Sequence, residues 1–141
     1  MYVVSRILKY NKNLFIKTLQ TFKGLKYRSE IIYKSNKLLV VNDSKATNLS
    51  STLHSIKSHN NIHLIIGGVL KNKNFSKLFL LRNKIKIIYL IGESSNYIFN
   101  KLKNNFKCKK CLTIDYAVKK CVQDTKVNKD FNTILLSPAC S

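Results

Sequence analysis

The stretch "VVNDSKATN" (40–48) sets an acid, a cation and a hydroxyl at alternate positions directly after an apolar run. Asp43 offers a carboxylate that can accept hydrogen bonds from ribose hydroxyls. Lys45 can balance a phosphate or carboxylate. Thr47 or Asn48 would open the next helix, where free backbone N–H groups and the helix dipole favour an anion. Three further clusters have the same character. Gly67, Gly68 and Lys71 follow the apolar run "IHLII", Gly92 and Glu93 follow "KIKIIYLI", and "SPACS" (137–141) follows "FNTILL". Paired glycines leave room for a backbone to approach a ligand. Singly, each of these is more often a turn or a cap, and it is their falling together that points to a ligand.

Other chemistries find little support. The four glycines form neither GxxxxGK[ST] nor GxGxxG, so the chain holds no triphosphate-cradling loop of that kind. His54, His59 and His63 form no HExxH. Cys108 and Cys111 make a CxxC, but Cys121 and Cys140 supply no second, similarly spaced pair for zinc. A redox pair stays open at this point, because flanking lysines lower a thiol pKa. The plainer expectation is that the four cysteines sit in or near a core.

Elements that could position these residues follow from hydrophobic periodicity. Residues 3–10 and 13–22 read as helices, with Asn13 as an N-cap and Gly24 as a stop. Strands are expected at 28–34 and 37–42, close enough to pair as a hairpin. Then come a helix at 47–58, a strand at 62–67, a helix at 74–82 and a strand at 84–92. Ser94 caps a helix at 95–106, a weaker strand covers 109–114, Asp115 caps a helix at 116–124, and a last strand covers 131–137 before Pro138. Alternating apolar strands and amphipathic helices predict an α/β, Rossmann-like, mainly parallel sheet. Helices cover both faces, and the early strand makes an antiparallel hairpin at one edge. Ligands in such sheets bind beyond the carboxyl ends of the strands, which is where all four polar clusters fall.

The chain has 141 residues, 45% of them apolar, enough for one domain with a core. Its apolar runs are strand-sized, and the N-terminus lacks a signal peptide's long apolar core, so a soluble cytoplasmic protein is expected. The formal charge of +20 would attract nucleic acid, anionic membranes or phosphate-bearing ligands. The lysines are spread along the chain rather than blocked together, and Lys, Asn and Ile share AT-rich codons, so base composition accounts for most of this charge. A basic nucleic-acid-binding module is the competing reading. Tyr and Phe are available for stacking, but no helix-turn-helix, RNP or KH signature accompanies them.

Four stretches, "TFKGLKYRSEIIY", "NDSKATN", "LIIGGVLKNKNFS" and "ILLSPAC", occur in an order and spacing that resembles one family. It is the C-terminal domain of the UDP-N-acetylmuramoyl-L-alanine:D-glutamate ligases, a branch of the Mur ligase family. The resemblance implies that residues 1–24 are a helical remnant of the family's central domain. Residues 25–141 would be the C-terminal domain, shortened at its end. It also implies a part in ATP-dependent addition of D-glutamate during peptidoglycan synthesis, with magnesium held by the central domain. By the same resemblance Arg28 reaches the ATP phosphates and Asp43 the ribose, while Tyr27 stands where the family usually has His. Lys45 lies between the nucleotide and the amino acid. Thr47 and Lys71 contact D-glutamate, and Ser141 aligns with either a family Ala or the family's D-glutamate-binding Ser. The acyl-phosphate step needs groups this sequence lacks, so the chain alone is expected to be inactive. Its expected partners are ATP, D-glutamate and a separate chain carrying the missing domains, with no specific nucleic acid and no membrane. Absence of the family's terminal helix is expected to expose apolar surface.

Overall fold

The structure is a computed structural model and describes residues 2–70, 74–127 and 130–140. Two helices come first, α1 (Tyr2–Ile7) and α2 (Lys12–Thr21). The strands and helices β1 (Glu30–Lys34), β2 (Leu38–Asn42), α3 (Leu49–Lys57), β3 (Ile62–Gly67), α4 (Ser76–Phe79) and β4 (Ile85–Ile91) follow. The chain ends with α5 (Ser95–Leu102), β5 (Cys108–Leu112), α6 (Ile114–Lys126) and β6 (Asn132–Leu136). The six strands form one sheet in the order β1-β2-β6-β3-β4-β5. Among the described residues, only the β1–β2 pair is antiparallel. The last strand is therefore inserted between β2 and β3, in register Val41↔Leu135 and Leu64↔Leu135. This insertion brings the segment after β6 between the loops that follow β2 and β3.

Composition explains which strands are central. Strand β3, "IHLIIG", is buried along its whole length, as expected of a strand covered on both faces. Alternate residues divide between the faces. Leu64, Ile66, Ile88, Leu90 and Leu135 meet Leu53 and Ile56 of α3, Leu78 of α4, and Ile98 and Leu102 of α5. On the other face Ile65, Ile87, Tyr89 and Ile134 meet Ala117 and Cys121 of α6. Each fully buried Leu or Ile contributes roughly 1.5–3 kcal/mol relative to exposure. The edge strand β1 leaves Ile31, Ile32 and Tyr33 exposed and carries a register shift between Ile31 and Tyr33. Helix α2 buries no residue.

Several local expectations need correction. The N-cap of α2 is Asn11, not Asn13, because Asn11 has extended backbone and its side chain accepts from the N–H groups of Asn13 and Leu14 at 2.9 and 3.2 Å. The N-cap of α6 is Thr113, whose Oγ1 accepts from Tyr116 N at 3.3 Å, while Asp115 lies inside the first turn where its charge favours the dipole. The helix expected over 74–82 shortens to α4 and a separate 3₁₀ turn at Arg82–Lys84. Only Phe75 and Leu78 of that segment are buried and Leu80 is 80% exposed, so no continuous apolar stripe supports a longer helix. Ser94 stands at the start of α5, but its side chain makes no capping bond and instead donates to Gly68 O at 2.7 Å.

Candidate functional site at the carboxyl edge of the sheet

Because β1 runs antiparallel to β2, the loop before β1 lies at the carboxyl end of β2, where Glu30 pairs with Asn42. That geometry joins Tyr27 and Arg28 to the "NDSKATN" segment. Lys45 N donates to Tyr27 O at 3.1 Å, and Ser29 N donates to Asp43 Oδ1 at 3.0 Å. Tyr27 and Ser29 both adopt left-handed backbone, with φ of 65° and 47°. Such a conformation costs a non-glycine residue roughly 1–2 kcal/mol and persists only where surrounding bonds hold it. Here Tyr27 N donates to Glu30 Oε2 at 2.9 Å and Arg28 N donates to Leu25 O at 3.2 Å. Arg28, Lys45 and Thr47 have exposed side chains.

Asp43 differs from its neighbours. It is only 7% exposed, and Oδ2 accepts from Ser55 Oγ at 2.6 Å and from Ser137 Oγ at 3.2 Å. Ser137 Oγ also lies 3.0 Å from Thr52 Oγ1, within hydrogen-bond reach. Thr52, Ser55 and Ser137 are all buried. The segment after β6 thus ties down the loop after β2, and Ala139 N adds a bond to Ala46 O at 2.9 Å. On its other side Gly67 N donates to Pro138 O at 3.0 Å. The next loop joins through Ser94, which donates to Gly68 O from both its N–H, at 3.1 Å, and its hydroxyl. A hydrogen-bonded lip therefore runs from the loop before β1 to the loop after β4.

Of the residues singled out from sequence, the structure brings Tyr27, Arg28, Asp43, Lys45 and Thr47 to one edge. Lys71 and Ser141 lie outside the described residues. Thr47 precedes the N-cap Asn48, whose Oδ1 accepts from Ser51 N at 3.0 Å, so the start of α3 faces this edge. The sequence reading placed Ser137 at this edge but missed Thr52 and Ser55. The available signal was the pair of hydroxyls three residues apart beside Leu53 and Ile56, on the face that α3 buries.

A second polar group lies on the opposite face, beneath α6. His63 Nδ1 and Tyr89 OH are 2.9 Å apart, Tyr89 OH donates to Asp124 Oδ2 at 2.6 Å, and Lys109 Nζ pairs with the same oxygen at 2.6 Å. Burial holds His63 below its ordinary pKa, opposed by Asn132 and Asp124. For Asp124 burial pushes upward, but the bonds from Lys109 and Tyr89 outweigh it and the carboxyl stays below its usual range. The cysteines are free thiols. Burial pushes Cys108 up to about 11 and also raises Cys111, Cys121 and Cys140. Activation of the CxxC by its lysines is therefore overturned, since burial outweighs the effect of Lys109 on Cys111. Among the described residues no cluster of His, Cys, Asp or Glu could hold a metal ion, and no helix is long and apolar enough to cross a membrane.

No protein-family model matches the chain. It is similar to UDP-N-acetylmuramoylalanine--D-glutamate ligase of Wolbachia sp. subsp. Brugia malayi (strain TRS), with 35% identity over 138 residues, 98% of this chain and 28% of that protein. The ligase of the same name from Francisella tularensis subsp. tularensis (strain FSC 198) is 35% identical over 133 residues, 92% of this chain and 31% of the relative. Among solved structures, UDP-N-acetylmuramate-alanine ligase MurC of Thermotoga maritima superposes with a TM-score of 0.64 at 18% identity. That match covers 95% of this chain and 31% of the other. The murein peptide ligase of Psychrobacter arcticus 273-4 gives 0.54 at 12% identity, over 88% of this chain and 29% of the other. The chain is thus homologous to one segment of the D-glutamate-adding ligases, and it has the fold of a segment of related ligases. It spans about three tenths of the length of the curated relatives it matches.

Proposed function

We propose that the chain is the C-terminal domain of a ligase that joins D-glutamate to UDP-N-acetylmuramoyl-L-alanine in peptidoglycan synthesis, at the expense of ATP. The observation that carries this reading is the convergence of Tyr27, Arg28, Lys45 and Thr47 at one hydrogen-bonded edge, in a chain 35% identical to such ligases along 98% of its length. Arg28 and Lys45 offer exposed cations to the ATP phosphates, with Tyr27 beside them. Among the described residues Asp43 Oδ1 receives the Ser29 N–H alone, which leaves a lone pair for a ribose hydroxyl. By resemblance, Thr47, Lys71 and Ser141 would contact D-glutamate.

In the proposed reaction ATP phosphorylates the carboxylate of the UDP-linked acceptor. The D-glutamate amine then attacks the acyl phosphate, an amide forms, and ADP and phosphate leave. The domain would bind and orient ATP and the incoming amine. It supplies no fit for magnesium, because its described residues offer no acidic cluster. The phosphate-cradling loop and magnesium ligands would come from the family's other domains, carried on a separate chain or on further sequence. Cytoplasmic location follows from the same reading, since nucleotide-linked substrates reside there.

A chimaera tests this directly. The matching segment of the Wolbachia ligase is replaced by residues 25–141, and ADP release is measured with and without D-glutamate. Release that requires both D-glutamate and the UDP-linked acceptor supports the reading. A chimaera that folds yet gives none rejects it.

A further inference from the structure

The proposed function treats Asp43 as a nucleotide contact, and its surroundings assign it a further task. We infer that Asp43 is the positioning residue of the lip: its buried carboxylate holds the left-handed turn that aims Arg28, and Ser55 and Ser137 fix that carboxylate in place. The inference rests on the nucleotide reading only in taking Arg28 as the group being aimed.

Three observations carry it. First, both oxygens of Asp43 are already engaged, Oδ1 by Ser29 N at 3.0 Å and Oδ2 by Ser55 Oγ at 2.6 Å and Ser137 Oγ at 3.2 Å. A carboxylate that is 7% exposed with three donors around it is held far more firmly than a surface acid. Second, the residue it holds is strained. Ser29, at φ 47°, follows Arg28, and Tyr27, at φ 65°, precedes it. The turn needs an outside bond to persist, and for Ser29 that bond is the charge-assisted one to Asp43. Third, the donors come from distant parts of the chain. Ser55 lies on α3, and Ser137 lies in the segment after β6 that also receives Gly67 N at Pro138 O and donates Ala139 N to Ala46 O. The turn that presents Arg28 is therefore referenced to the segment lying between the loops after β2 and β3, next to the proposed amino-acid contact Thr47. A change in that segment would be felt at Arg28 through one carboxylate.

The test uses the whole 141-residue chain, isotopically labelled, and reads amide exchange and ATP-induced shifts. Asp43→Ala removes every acceptor. Asp43→Asn keeps the Oδ1 acceptor for Ser29, and the hydroxyls of Ser55 and Ser137 can rotate to accept from its amide. Expected is at least tenfold faster exchange of the Ser29 amide in Asp43→Ala, with β4 amides unchanged, and a return to within about threefold of wild type in Asp43→Asn. Should Asp43→Ala fail to fold, Ser55→Ala removes only the 2.6 Å bond and is expected to quicken Ser29 exchange about threefold. Unchanged Ser29 exchange in the folded variants overturns the inference, as does an Asn variant no better than Ala. The ATP arm separates the two ideas. A wild-type chain whose Arg28 amide ignores millimolar ATP removes the nucleotide reading, while the exchange result still decides how the turn is held.

Discussion

Gly67→Ala is expected to be among the most damaging single-methyl additions in this protein. Gly67 ends β3 at φ 130°, and a Cβ there would meet Ile91 O at 2.0 Å, with Ile91 N and C both at 3.0 Å. An ordinary contact begins near 3.4 Å, so the ends of β3 and β4 would have to part by more than about 1 Å. The obstacle is backbone, so no side-chain rotation relieves it. Parting them disrupts the Gly67↔Ile91 pair and pulls on the bond from Gly67 N to Pro138 O. Overpacking costs about 1–3 kcal/mol, a lost buried hydrogen bond about 1, and the unfavourable backbone about 1–3. The sum is about 3–7 kcal/mol, a large part of the roughly 5–15 available to a domain. Urea unfolding reads this as a midpoint lowered by about 1.5–3.5 M, for a slope near 2 kcal/mol/M. Gly24→Ala is the control, since its φ is 84° but nothing lies within 4 Å of the added carbon. It should cost only about 1 kcal/mol. Equal midpoints for the two variants would refute the steric argument.

Other expectations concern the remainder of the fold. His63 and His59 both sit below the ordinary value of 6.5, each chiefly through burial, with Lys84 adding to the effect at His59. The unfolded chain therefore takes up protons first, so stability is complete above about pH 6.5 and declines as pH falls toward the folded values. Urea midpoints between pH 7.5 and 5 should show this decline, and His63→Gln should flatten it. Because burial raises all four thiols, alkylation at pH 8 should be slow in the native chain and rapid in urea. Metal analysis of purified protein should find no stoichiometric zinc. Thr113→Ala removes the cap of α6 and should cost about 1 kcal/mol in urea unfolding.

The legible parts of the fold were those with strong periodicity. "IHLIIG" and "KIKIIYLIG" are long apolar runs that only a doubly covered strand explains, and the structure has β3 and β4 there. Caps were less legible, because Asn11 competes with Asn13 and Thr113 with Asp115, and backbone conformation decides which is used. The insertion of β6 between β2 and β3 leaves no local trace, since strand order is set by long-range packing. At the site, residue types marked Asp43, Lys45 and Thr47 as unusual. What the types did not reveal is that Asp43 points inward to Ser55 and Ser137, because a serine on an apolar helix face looks the same whether it meets solvent, backbone or a carboxylate.

The central claim is that one edge of this sheet is an anion-binding site, and chemical-shift mapping of the labelled chain with ATP and then D-glutamate tests it most directly. The account predicts ATP-dependent shifts at Tyr27, Arg28 and Lys45 and glutamate-dependent shifts at Thr47. Shifts confined to the lysines of α5 and β5, such as Lys101, Lys109 and Lys110, would show charge attraction alone and contradict it.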